Sequence, residues 1–226
     1  IGSGTPVPGT RVPGTGVPDP FRRCYNQRMS EQERGLLVVI SGPSGVGKTT
    51  IVHRVKDAFD AVFSVSATTR PRSTSEIDGV DYFFISPEEF SSKVQNNEFL
   101  EHAEVFGCHH YGTLRDPVTK TLASGNIMLL DIDVQGGIQV QNSMPESVRV
   151  FILPPSEQEL LQRLKIRGRD DEDSIQRRFL EAKREIKLAQ ESGAYDWFVV
   201  NDELELAIAE TIAIIQRIQN NTATTS

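Results

Sequence analysis

The chain has 226 residues, 38% of them hydrophobic and 24% charged, a size and balance that suit one globular domain with a sizeable core. Its formal net charge of −7 argues against a sequence-independent grip on DNA or RNA, which needs a basic stripe, but leaves room for a local cationic pocket. No apolar run approaches the roughly 20 residues of a membrane span, and two cysteines, Cys24 and Cys108, staple nothing in a chain this long, so no membrane partner and a reducing, cytoplasmic setting are expected.

Residues 1–34 form a Pro/Gly-rich N-terminal tail, in which "GTPVPGTRVPGTGVP" repeats a Val-Pro-Gly-Thr unit without hydrophobic period. Such a segment cannot bury enough apolar surface to offset its ordering entropy, so a disordered tail is expected. Up to residue 28, Arg11, Arg22, Arg23 and Arg28 face a single acid, Asp19. The stretch is nonetheless poor in serine and has no amphipathic pattern, which reads as an extension rather than a targeting signal.

Residues 35–220 read as one α/β domain. Near-continuous apolar runs at 36–41 ("LLVVIS"), 127–132 ("IMLLDI"), 148–153 ("VRVFIL") and 197–201 ("WFVVN") suit strands of a central parallel sheet covered on both faces. Helices are predicted from Lys48, over 172–191 with Ile175, Phe179, Ala182, Ile186 and Ala189 on one stripe, and over 203–218 with Leu204, Ile208, Ile212 and Ile215. Residues 63–113 break this rhythm, with short strands at "VDYFFI" and "EFLEHAEVF" and a helix near 87–96. They are expected to form an inserted subdomain between core segments 35–62 and 114–220. "CHH" at 108–110 reads as a loop insertion rather than a metal fragment.

The first strand runs into "GPSGVGKTT", residues 42–50, the strand, glycine-rich loop and helix of a P-loop. Gly42, Gly45 and Gly47 let successive backbone N–H groups of the loop, with Pro43, Ser44 and Val46 between them, turn towards one anion. The following helix adds the positive end of its dipole. Lys48 can reach the β- and γ-phosphates, Thr49 offers a hydroxyl to Mg²⁺, and Thr50 completes the motif. The motif indicates a nucleoside triphosphate without saying what receives its phosphate.

Ser66, Arg70, Arg72, Glu76, Tyr82, Glu101, Tyr111 and Thr113 supply the groups that a nucleoside monophosphate would need. Arginine grips phosphate bidentately and a tyrosine hydroxyl can join it. Guanine presents two adjacent donors beside an acceptor. Glu101 can accept both donors, and Thr113 or Ser66 can donate to the acceptor. Asp131 and Asp133 end a buried strand, where open α/β sheets hold ligands. Asp131 is suited to orienting metal-bound water and Asp133 to the guanine or ribose end of the acceptor, the other reading being acids that cap the next helix. Around "RLKIRGRDDEDSIQRR", mobile arginines could close over the phosphates.

In order, "ISGPSGVGKTT", "FSVSATTR", "DGVDYFF", "FLEHAEVFG", "LLDIDVQG", "FILPPS" and "VVND" resemble the guanylate kinases over about residues 36–218. The resemblance implies a P-loop nucleoside-monophosphate kinase that uses ATP and Mg²⁺ to phosphorylate GMP or dGMP. It needs no nucleic acid, and a monomer or homo-oligomer fits equally. It makes 63–113 the GMP-binding insert, with Arg70, a second arginine, Tyr82 and Tyr111 on the phosphate and Ser66, Glu101 and Thr113 on the base. It makes about 163–178 the lid, with Arg163, Arg167 and Arg178, and sets Asn201 near the adenine. One departure stands out: "TTRPRSTSE" has Ser73 in the second arginine's place and Arg72 one residue early. Either Arg72 turns inward and compensates, the favoured expectation, or the phosphate has one cationic grip fewer.

Overall fold

The computed structural model describes residues 35–105, 107–166 and 171–224, all within one compact unit, Glu33–Ser226. The expected disordered tail lies outside the described residues.

The strand β1 (Leu37–Ser41) is buried at every position. It is followed by α1 (Lys48–Phe59) and a short β2 (Val62–Phe63). Further along lie β7 (Met128–Asp131), β8 (Val148–Leu153) and β9 (Trp197–Val200). These strands form a five-stranded sheet in the order β2-β7-β1-β8-β9, every pair parallel. Alternate side chains of β1 serve opposite layers, as the two-residue period of a strand requires. Val38 and Ile40 pack with Ile51, Val52 and Val55 of α1 and with Ile208 and Ile215 of α7 (Leu204–Thr224). Leu37 and Val39 pack with Val118 of α3 (Arg115–Ala123) and Val140 of α4 (Val134–Ser143).

A second sheet of four strands has the order β4-β3-β6-β5. Its strands are β3 (Ala67–Thr68), β4 (Phe83–Phe84), β5 (Phe99–Val105) and β6 (His109–Leu114). The helix α2 (Pro87–Gln95) covers it, capped by Ser86, whose hydroxyl accepts from the Glu89 N–H at 3.1 Å. Phe90 of α2 stacks on Phe99 and sits in a small core with Ala67.

The strand predicted over "VDYFFI" shrinks to Phe83–Phe84. The residues before it spend their backbone groups locally: the Ile77 N–H donates to Asp81 at 2.7 Å and the Phe84 N–H to Asp78 at 2.9 Å. "CHH" is also corrected. Only Cys108 of the three sits in the turn, while His109 and His110 belong to β6, and His110 stacks on Phe90 with centroids 5.2 Å apart. The helices α5 (Glu157–Ile166) and α6 (Glu172–Ser192) pack together through Leu160, Leu164, Ile175 and Ala182.

Candidate active site

The loop between β1 and α1 is shaped by glycine. Gly47 has φ 95°, and a Cβ there would meet the Asn201 amide nitrogen at 2.6 Å. It caps α1, which has no acidic residue in its first turn, so nothing on that turn offsets the positive end of the helix. Lys48 reaches across to β7, with Nζ 2.5 Å from Asp131 Oδ1 and 3.4 Å from the Ile132 carbonyl oxygen. Parallel pairing makes this possible, because Asp131 stands opposite Ile40, two residues before the loop. Thr49 and Thr50 are exposed at the start of α1.

Asn201, expected beside an adenine, lies beneath the loop. It is 4% exposed, its amide donates to the Val46 carbonyl at 2.7 Å, and its own carbonyl accepts from Arg163 at 2.9 Å. Arg163, on α5, is held by Glu159 at 3.0 Å. Arg178, on α6, donates to the Ser44 hydroxyl in the loop at 2.5 Å. Arg167 lies outside the described residues.

Between the two sheets is a cavity of about 220 Å³ lined by Ser66, Tyr82 and Thr113 from one side and Asp131 from the other. Behind Thr113 lies Glu101, 7% exposed, whose Oε1 accepts the Thr113 hydroxyl at 2.6 Å. Burial, and the charge of Asp133 nearby, push the Glu101 carboxyl above its ordinary range. Its other oxygen would lie 3.2 Å from a Cβ at Gly136, so it rests against the first turn of α4. Asp133 caps that helix, accepting the Gly136 N–H at 2.8 Å. The capping reading of Asp133 therefore holds, and its charge also stands within electrostatic reach of Glu101.

At the far end of the same sheet Arg70 makes a two-pronged pair with Glu76, at 2.6 and 3.1 Å, and lies over the rings of Tyr82 and Phe84. Tyr111 meets Tyr82 edge-on at 5.9 Å. Hydrogen bonding to Glu76 and then Tyr111 holds the Arg70 guanidinium further above neutrality than usual, while Arg70 and then Ser73 hold Glu76 down at about 2. Arg72 does not turn inward; it is exposed, and it makes no hydrogen bond or ion pair to the described residues.

Sequence reasoning missed three groups around this centre. The Ser41 hydroxyl donates to the Asp133 carbonyl at 3.3 Å. Tyr195 is buried and donates to the Val134 carbonyl at 3.4 Å, covering the glycine at 137 so closely that any Cβ would overlap its hydroxyl. Glu185, on α6, is pushed up to about 7 by burial and then by the charge of Asp133, with Lys48 opposing. It stands two helical turns after Arg178 and so shares its face, the one periodic signal that could have found it.

A family model described as guanylate kinase matches residues 34–218. A guanylate kinase of Anaeromyxobacter dehalogenans is 49% identical over 189 residues, 82% of each chain. One from Thermus thermophilus is 46% identical over 182 residues, 80% of this chain and 81% of that one. The crystal structure of a guanylate kinase from Anaplasma phagocytophilum superposes with a TM-score of 0.62 at 33% identity, covering 83% of this chain and 88% of that one.

Proposed function

The chain belongs to the guanylate kinase family, transferring the γ-phosphoryl group of ATP to GMP, and on that premise we propose which of its groups carry out the transfer. The observation that carries the proposal is the shared cavity. Asp131, already paired with the P-loop Lys48, and Thr113, already paired with the buried Glu101, line one space.

The triphosphate occupies the loop Gly42–Thr50, where backbone N–H groups and the start of α1 receive the phosphates and Lys48 exchanges Asp131 for their oxygens. Magnesium suits the donor set. Among the described residues no group of three or more His, Cys, Asp or Glu is gathered to hold an ion, and Mg²⁺ needs none, taking one or two protein oxygens and otherwise phosphate and water. Thr49 and Asp131 would hold it, and when bound it neutralises charge on the phosphate oxygens.

GMP, or dGMP, enters the cavity with its base towards Glu101, Thr113 and Ser66 and its phosphate towards Arg70, Tyr82 and Tyr111. Glu101 accepts the two adjacent guanine donors, and Asp133, close enough to act on the Glu101 carboxyl, serves the same end of the acceptor. Adenine would set a lone pair against Glu101 and leave the acid with Thr113 as its one donor, a large penalty in a buried site. The acceptor phosphate is already anionic at neutral pH, so no residue need act as a nucleophile. The obstacle is repulsion between two polyanions, which Lys48, Arg70 and the arginines of the lid reduce. We assign that lid duty to Arg178, through its contact with the loop, to Arg163, and to Arg167. Asn201 serves the loop from beneath.

The test is a coupled ADP-release assay with Mg-ATP and GMP, dGMP, AMP, CMP, UMP or ribose bisphosphate as acceptor, run on the native chain and on Glu101→Gln. Turnover should be strong with GMP and dGMP and weak with AMP. Glu101→Gln should raise KM for GMP by about a hundredfold while leaving KM for ATP near its native value. Unchanged discrimination in that variant would remove Glu101 from the base site.

A further inference from the structure

The carboxylate of Glu76 is gripped from two sides. Oε1 accepts Arg70 Nη2 at 2.6 Å, while Oε2 accepts Arg70 Nη1 at 3.1 Å and both the N–H and the hydroxyl of Ser73 at 2.8 Å each. A carboxylate bonded only to Arg70 could still pivot about its own stem. The two bonds from Ser73 remove that freedom, because they add a second anchor on Oε2 that is independent of the guanidinium.

The consequence falls on Arg70. Its two terminal nitrogens are both engaged by Glu76, and Nη1 also donates to the Pro71 carbonyl at 3.0 Å. A guanidinium has three hydrogen-bonding edges; Glu76 and Pro71 leave the one through Nε, and Tyr111, the other partner of this guanidinium, would join it in receiving a second anion. The Tyr82 and Phe84 rings, 5.4 and 5.7 Å from its centre, fix its plane, and Tyr82 also lines the cavity. The neighbouring cation, Arg72, is exposed and makes no hydrogen bond or ion pair to the described residues, so nothing fixes it as Glu76 fixes Arg70.

We propose that Ser73 is a positioning residue for the acceptor phosphate: by locking Glu76 it fixes how Arg70, beside Tyr111, presents its Nε edge, so that Arg70 acts as the single fixed cation of this loop. The proposal rests on the reading that Arg70 receives the GMP phosphate. Ser73 touches no substrate. It acts on the phosphate only through Glu76 and Arg70.

The experiment measures steady-state kinetics, with GMP and ATP varied separately, for Ser73→Ala, Ser73→Thr, Glu76→Ala, the double variant Ser73→Ala/Glu76→Ala, and Arg70→Ala, each with a thermal melt. Ser73→Ala should raise KM for GMP about three- to tenfold, with kcat, KM for ATP and Tm close to native. Ser73→Thr, which keeps the hydroxyl, should restore the native KM. In the Glu76→Ala background, Ser73→Ala should add nothing, because the group it acts through is gone. A native KM for GMP in Ser73→Ala, an equal loss towards both substrates, or full additivity with Glu76→Ala overturns the inference. Arg70→Ala separates the two levels. If it leaves KM for GMP unchanged, the phosphate site itself is misassigned. If it raises KM about a hundredfold while Ser73→Ala does not, the phosphate site stands and only the role of Ser73 falls.

Discussion

Glu185 shows how much one side chain can owe to its surroundings. On an exposed helix face it would be an ordinary acid near 4.5, but on α6 it is half-buried and faces Asp133, with Glu181 one turn away and Lys48 only partly compensating, which together push it up to about 7. The folded protein therefore holds that proton more tightly than the unfolded chain does. Stability from this group is fully present below the ordinary carboxylate value and is lost as pH rises from there through about 7. Glu185→Gln, which cannot ionise, should match the native protein in Tm at about pH 4 and exceed it at about pH 8 in thermal melts without ligand. A gap that narrows with rising pH would contradict this account. Asp171 goes the other way: as the cap of α6 it accepts the Ser174 N–H, which holds its carboxyl below the usual range.

At the scale of elements, the P-loop depends on a strand end far from it in sequence. Asn201, just after β9, is the donor to the Val46 carbonyl, and Gly47 is the residue that lets it come so close. Asn201→Ala leaves that carbonyl without its donor and should cost about 1–3 kcal/mol of stability in denaturant titrations, with a higher KM for ATP than for the native protein. A loss confined to GMP would place the support elsewhere. These dependencies also explain what the sequence could reveal. The strands β1, β7, β8 and β9 were legible because a covered parallel sheet demands unbroken apolar runs, and the P-loop because all its groups are adjacent. The strands β3 and β4, two residues each, carry no period, and β6 hides behind the polar letters "HHYGTL". The helix α4 entered only as the next helix that Asp131 and Asp133 could cap, its own signal weakened by Gly136 and Gly137. They are there for close approach by Glu101 and Tyr195, against their poor helix propensity. Asn201 was seen but its bond to the Val46 carbonyl was not, and Arg72 was expected inward, because local spacing does not say which way a side chain turns once tertiary partners compete for it.

Over the whole molecule, the proposed donor and acceptor sites lie on different sheets, joined by a cavity that both line. Ligand binding to the folded chain alone must raise its stability by mass action, about 2.7 kcal/mol at a free concentration of 100 times Kd. Mg-ATP and GMP should each raise Tm, and Glu101→Gln should abolish the shift from GMP while keeping that from Mg-ATP. Loss of both would mean that the two sheets do not hold separate sites. The order of the large sheet has a further effect. Its middle strand, β1, is flanked by β7 and β8, which come roughly a hundred residues later in the chain. On a ribosome adding about 5–20 residues per second, the first apolar ribbon waits several seconds with both edges bare before either flank has been made. The hairpin of β5 and β6 needs only its own neighbours and can close as it emerges. The nascent chain would thus shape its acceptor module first, and any shielding by chaperones is needed most by the strand that leads into the phosphate loop.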